Sequence, residues 1–309
     1  MKLFDLHCDT ASELYNQKLP LADGPLHISL AKTAPYENYV QIAAVWCDRR
    51  LSDEEVWERF WRITDSFSAE IRPSPDAFLY DGTNDWLGAA RAGKRVFLYA
   101  VEDARLLGGE LSRLDLLYGR GVRFLTLEWG GLTCIGGSHD TDAPLTDFGR
   151  AVVRRCFALG IIPDVSHASR AVTAEVIALA GEAKRPILAT HSNSFSVMPH
   201  SRNLTDAEFR AIAALGGVVG VSLAPQHLCA GPCTIADAAA HILHYLSVGG
   251  EDALCLGCDF DGIGKTPEGL EDVSRLPALA EYLCAHGVRP DVVDKIFFEN
   301  AYRFSQRVF

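Results

Sequence analysis

Positive charge is scarce in this 309-residue sequence: Lys+Arg total 29 against 40 Asp+Glu, the net charge is -11, and no basic run interrupts that balance. Affinity for nucleic acid comes mainly from Lys and Arg neutralising phosphates, so no nucleic-acid partner is expected. Long apolar runs are also missing. A membrane-spanning helix needs roughly 20 mostly apolar residues, whereas the best stretch, AALGGVVGVSLAP, is short, rich in glycine and reads as a buried strand. The opening MKLFDLHCDT meets polar and charged residues too early for a signal peptide. A cytoplasmic protein without a membrane partner is the expectation. Linkers, low-complexity tracts and repeats are absent too, which points to one domain over residues 1–309, and a 48% hydrophobic, 22% charged composition excludes disorder. The nine cysteines are odd in number and scattered, which fits reduced, mostly buried thiols better than a disulfide framework. A disulfide or metal clip at Cys229 and Cys233, around Gly231-Pro232, is the alternative.

What is present is an alternation of two patterns. KLFDLH, VQIAAVWC, RVFLYAV, VRFLTLE, IIPDVS, PILAT, GGVVGVSL and ALCLGC read as short strands. Between them SDEEVWERFWRITDSFSAEI, TDFGRAVVRRCFALG, SRAVTAEVIALAGEA and TIADAAAHILHYLSVGG read as helices opening on Ser or Thr caps. Strand alternating with helix implies a parallel sheet covered by helices. About eight such units is what a closed (β/α)8 barrel of the TIM type needs. An open doubly wound sheet would carry a GxGxxG in its first turn, and none follows the first strand. From about Pro277 to Phe309 the pattern reads as helices closing the last unit, with Pro290 at a helix start.

Barrel enzymes carry their chemistry at the carboxyl ends of the strands. Here the first predicted strand ends in His7 and Asp9, the third in Glu102, the fifth in His167, the sixth in His191 and the eighth in Asp259. Strand side chains alternate, so His7 and Asp9 share one face and Cys8 takes the other. Glu102, after an apolar run, would need compensating cations if buried; Asp103 competes for that inward place. His167 and His191 occupy the same relative position in adjacent units, and imidazole suits zinc and related divalent ions. Asp259 is placed for proton transfer, with Asp261 sharing its alternation. Other features read as structural. Cys255 and Cys258 lie in one strand, where i and i+3 face opposite ways. His241 and His244 lack the HExxH pattern of zinc proteases and are expected on a solvated helix face, and Glu128 is expected to be solvated.

The segments HCDT, VED, LTDFGRAVVRRCFALGIIPDVSHAS, THSNSFSV followed by SRNLTD, GCDFDGIGKTPEGLEDVS and ENAYRF resemble, through most of the chain, the membrane dipeptidase (renal dipeptidase) family M19 of amidohydrolase-like zinc peptidases. The resemblance implies two zinc ions per chain, one held by His7 and Asp9, the other by His167 and His191, with Glu102 bridging both. It implies hydrolysis of a dipeptide amide, including substrates with a carboxyl-terminal D-residue, by a hydroxide shared between the metals. Asp259 would shuttle the proton, and Arg202 of SRN would grip the substrate carboxylate with a two-pronged hydrogen bond. A homodimer is also implied. Many amidohydrolase-type barrels bridge their metals with a carboxylated lysine, yet none of the seven lysines ends a predicted interior strand. One position departs. Where the best-known members of that family have a histidine in an L-T-H segment, this chain reads LTLEWGG and places Trp129 in the substrate-binding position, with one indole donor and a large apolar face. Two rivals therefore stay open: a binuclear metal amidase or lactonase acting on another small acyl substrate, and a metal-dependent peptide-binding protein that does not cleave. Asp259 speaks against the second, since a binder needs no proton shuttle.

Overall fold

The computed structural model describes residues 1–309. Its strands are β1 (Lys2–Cys8), β2 (Asn38–Trp46), β3 (Ala77–Leu79), β4 (Arg95–Glu102), β5 (Phe124–Thr126), β6 (Ile162–Asp164), β7 (Leu188–Ala189), β8 (Val218–Val221) and β9 (Leu254–Leu256). All pair in parallel. The order β2-β1-β9-β8-β7-β6-β5-β4, with β2 also paired to β4, closes a ring of eight strands. This is the TIM-type barrel that the alternation predicts. The short β3 was not legible: it pairs only with Arg95–Phe97 of β4, on the edge that β5 takes over from Ala100 onward.

Inside the ring, Phe4, Val40, Leu98, Phe124, Ile162 and Leu188 pack into one apolar cluster. Ala301 and Phe304 of the last helix (Asn300–Val308) and Trp86 belong to the same cluster, with the Phe4 and Trp86 rings 6.3 Å apart, and form the barrel's floor. The outer strand faces meet the surrounding helices in a second, larger core. Cys255 lies in the inner cluster and Cys258 in the outer, as their spacing requires. Helix starts follow local chemistry: Ser52, Thr146, Ser169, Thr205 and Thr234 each accept a hydrogen bond from the first-turn backbone. Pro290 opens the helix Pro290–Asp294.

The strands β6, β7, β8 and β9 stop earlier than their apolar runs suggest. The reason is that side chains, not neighbouring strands, take the backbone donors at the rim. Asp164 Oδ1 accepts from Ser166 N (2.9 Å) and Thr190 N (3.0 Å), Asn193 Oδ1 accepts from Ser222 N (3.0 Å), and Asp5 Oδ1 accepts from Cys258 N (2.8 Å). The ladder is thus exchanged for turns in which ligand-type residues stand. No helix is long and apolar enough to cross a membrane.

Close backbone approach at this rim depends on Gly257, where an added Cβ would lie 1.7 Å from the Thr190 carbonyl oxygen. Gly257→Ala should lower the unfolding free energy by at least about 1–3 kcal/mol in urea titration, as overpacking does. Gly181→Ala, on an open helix surface with nothing within 4 Å, should leave stability equal or raise it by up to about 1 kcal/mol. Equal effects of the two substitutions would contradict the packing described.

Candidate metal centre

At the carboxyl rim, β1 contains a bulge. Asp5 is opposite Gln41 but Cys8 is opposite Ala43, so three steps on β1 match two on β2. Simple alternation from Phe4 and Leu6 would turn His7 outward; the extra residue returns it to the interior, and Cys8 joins the outer core. His7 Nε2 then lies 3.6 Å from Asp9 Oδ2 and 3.6 Å from Glu102 Oε2. The other Glu102 oxygen, Oε1, is 3.0 Å from His167 Nε2 and 3.4 Å from His191 Nε2, and those two nitrogens are 2.8 Å apart. Asp259 Oδ1 is 3.9 Å from His7 Nε2. Three sets of three donors, His7–Asp9–Glu102, Glu102–His167–His191 and His7–His191–Asp259, each have ligand atoms within 4.8 Å of one another, and Glu102 belongs to the first two.

The surroundings prepare these groups to be ligands. Thr190 Oγ1 donates to Asp164 Oδ2 (2.5 Å), so it can only accept from the His191 Nδ1–H (2.8 Å) and, more weakly, from His7 Nδ1–H (3.5 Å). Thr126 Oγ1 holds the same Asp164 oxygen (2.6 Å). His167 Nδ1–H donates to the Trp129 carbonyl (3.0 Å). With each Nδ1 protonated, the Nε2 lone pairs face the centre. Burial holds the His167 imidazole down to about 4 and His191 well below its usual value, so both are neutral, the form that binds metals. Burial also pushes the Asp259 carboxyl up to about 8 and Asp9 to about 6. His7 Nε2 and Asp9 Oδ1 are buried without a hydrogen-bond partner. A nitrogen-and-carboxylate donor set with orphaned buried atoms fits divalent cations of the zinc type.

The chain turns sharply here, with positive φ at His167 (67°) and Asp259 (65°), a backbone region that non-glycine residues seldom occupy. Gly262 makes room for the acids: a Cβ there would stand 2.2 Å from Asp9 Oδ2 and 2.6 Å from Asp259 Oδ1. The competing acids have other partners. Asp103 caps a short turn by accepting from Arg105 N (3.0 Å). Asp261 accepts from Thr10 Oγ1 (2.6 Å) and His27 N (2.6 Å), tying the first helix to the last loop. Asp259 keeps its carboxylate free of such bonds.

A cavity of about 570 Å³ opens over the cluster, the size of a small-molecule site. Arg202 reaches it from the β7 side. Its guanidinium is buried, donates to the His191 carbonyl (3.0 Å) and Ser192 Oγ (3.5 Å), meets no carboxylate, and leaves Nε without a partner. Trp129 lines the same cavity, its ring edge-on to Trp46 at 5.1 Å. Arg49, His139, His200 and His227 line it as well. Arg49, His139 and His200 sit in loops and His227 ends a short 3-10 turn (Pro225–His227), and no spacing in the sequence signals that these segments fold over the rim.

Three expectations need correction. Glu128 is fully buried rather than solvated. Its Oε2 accepts from Thr133 Oγ1 (3.0 Å), Oε1 has no partner, and burial pushes the carboxyl up to about 8. His241 is buried too, because it joins two loops: Nε2 donates to the Leu228 carbonyl (2.9 Å) and Nδ1 accepts from Ser194 N (3.0 Å). Cys229 and Cys233 are paired in a disulfide, while the other seven cysteines are free; the short Gly-Pro loop brings the pair together.

Thr190→Val should weaken zinc binding about 10- to 100-fold in a chelator competition, by removing the acceptor that orients two imidazoles. Gly262→Ala should act in the same direction, whereas Gly264→Ala, in open space, should not; equal affinities throughout would contradict the arrangement. Glu128 gives a separate test. A carboxyl raised from 4.5 to about 8 in the folded state makes stability fall as pH rises through that window. Glu128→Gln should remove that part of the fall, so its advantage over wild type grows from pH 5 to pH 8 in urea titrations; a constant difference would refute the buried, neutral acid.

Comparison with known proteins agrees with this geometry. A family model described as membrane dipeptidase (peptidase family M19) matches residues 1–308. The dipeptidase aclJ of Aspergillus oryzae is 33% identical over 209 residues, 64% of this chain and 48% of the fungal protein, so the match spans about half of that relative's length. An uncharacterized protein from the pqqA 5' region of Klebsiella pneumoniae is 35% identical over 221 residues, 67% of this chain and 80% of that protein. Among solved structures, a family M19 metallopeptidase described as dipeptidase AC has a TM-score of 0.90 at 25% identity, covering 100% of this chain and 98% of its own. A Rhodobacter sphaeroides metallopeptidase, liganded with a phosphinate mimic of the dipeptide L-Ala-D-Ala, shares the fold with a TM-score of 0.91 at 24% identity, covering 100% and 99%. With a family match along nearly its whole length and the ligand-type residues gathered at one rim, the chain belongs to the membrane dipeptidase family, peptidase family M19.

Proposed function

We propose that the protein is a dipeptidase holding two zinc ions, and that it hydrolyses the amide bond of dipeptides, including those with a D-residue at the carboxyl end. The observation that carries this reading is Glu102: one buried carboxylate serving two donor sets, beneath a cavity of dipeptide size. His7 and Asp9 would hold one ion, His167 and His191 the other, with Glu102 common to both. Bound there, such ions supply Lewis acidity that lowers the pKa of a water and polarises the amide carbonyl.

The protein's own groups divide the remaining work. Arg202, buried and without an acid partner, binds the dipeptide's terminal carboxylate and so sets the scissile amide over the cluster. Asp259 accepts the proton of the attacking water as oxygen bonds to the carbonyl carbon. It then gives that proton to the nitrogen as the C–N bond breaks, so that water and dipeptide become two amino acids. A raised Asp259 carboxyl suits a group that must carry a proton in both directions. The phosphinate bound by the Rhodobacter protein makes L-Ala-D-Ala the first substrate to test. Trp129 favours a second reading, an amidase for N-acyl compounds, because its apolar ring lines the cavity.

Zinc-loaded protein should cleave L,L- or L,D-dipeptides in preference to an N-acylated amino acid. Cleavage of the acyl compound alone would favour the amidase, and saturable binding without product would leave only a peptide-binding protein. Asp259→Asn should retain metal yet lose about 10²–10⁴-fold in kcat. Arg202→Met should raise KM roughly 10- to 100-fold through loss of a charged hydrogen bond. Unchanged kcat in the first or unchanged KM in the second would remove that residue from its role.

A further inference from the structure

Two cations polarise a carbonyl, but negative charge that develops on its oxygen is best met by a fixed hydrogen-bond donor as well. The candidates are cavity-lining groups that are not ligands. Arg202 is engaged with the β7 turn, the exposed Arg49 guanidinium lies against Gly130 and Gly131, and the Trp129 indole is turned edge-on against Trp46. Three further imidazoles form a row along the wall: His139 and His200 have ring centroids 6.0 Å apart, and His200 and His227 5.8 Å. His139 is the member nearest the centre, its ring 6.1 Å from that of the ligand-type His167.

The fold holds His139 at both ends. Its backbone N–H donates to the His167 carbonyl (2.7 Å), and Ser138 forms a bridge with Ala168, so this loop is stitched to the turn that carries His167. Its ring Nδ1 lies 2.9 Å from Ser201 Oγ, next to Arg202. If the serine hydroxyl donates to Nδ1, the ring proton resides on Nε2, the ring atom without a protein partner in the cavity. A loop histidine with so much support is a built feature, and neither metal binding nor proton transfer uses it.

We propose that His139 is a further catalytic residue, whose Nε2–H donates a hydrogen bond to the scissile carbonyl oxygen as it becomes negative, with Ser201 as the positioning residue that fixes its tautomer. The assignment rests on the dipeptidase reading above and names a donor that the reading itself does not require.

The test uses zinc-loaded full-length protein, L-Ala-D-Ala as substrate and its phosphinate analogue as a tetrahedral probe, with metal content measured in every sample. His139→Ala should keep its metal and its KM but lose about 10²-fold in kcat, and calorimetry should show phosphinate affinity reduced by a similar factor. His139→Gln, which restores an N–H donor, should recover part of both losses. Ser201→Ala should show a smaller loss of the same kind. Unchanged kcat, an increase confined to KM, or undiminished phosphinate binding would overturn the assignment while leaving the dipeptidase reading intact. If wild type neither cleaves the dipeptide nor binds the probe, the dipeptidase reading fails and the assignment with it.

Discussion

The arrangement depends on one electrostatic constraint: the Glu102 carboxylate is buried between imidazoles on two sides, with Asp9 and Asp259 close by. An isolated buried carboxylate is costly, and three in one basin are tolerable only when positive charge compensates them. Burial already pushes Asp9 and Asp259 toward their protonated forms. Without a metal, His7 answers them: in spite of its burial, Glu102 and Asp9 hold its imidazole well above the usual value, in the charged form. A pair of divalent cations would take over that role, leaving His7 neutral, and would partner the His7 Nε2 and Asp9 Oδ1 atoms that are buried without hydrogen bonds at the centre.

The barrel supplies the rigidity that such a basin needs. Its rim is held less by strand pairing than by carboxylates and amides that take backbone donors, with Asp164 the clearest case. That one side chain terminates two strands and, through Thr190, orients two imidazoles. Structure and chemistry are therefore coupled in the same residue: loosening Asp164 would disturb the backbone and the donor directions together. The bulge in β1 and the left-handed backbone at His167 and Asp259 are further places where regular geometry yields to the site.

Much of this was legible in the sequence because two strong periodicities coincide. The alternation of apolar runs with capped amphipathic segments points to the barrel, and the polar residues that end the runs are the ones the structure gathers. Asp164 was not legible as a support, since an acid inside an apolar run declares neither its direction nor its partners. Glu128 and His241 depart from expectation for a related reason: polarity suggests solvent, whereas both are sealed by loops whose path no local pattern encodes. The same holds for His139, His200 and His227. The β1 bulge leaves no mark in the sequence, because alternation counted from His7 gives the right answer locally and only the pairing with β2 reveals the extra residue.

The central claim is that Glu102 joins two cation sites into one centre. Zinc bound per chain, titrated calorimetrically into metal-free wild type and Glu102→Ala, tests it most directly. The account predicts two equivalents for wild type and a severe loss of affinity at both sites in the variant, because one carboxylate serves both. A single equivalent in wild type, or two equivalents bound as tightly without Glu102, would contradict it.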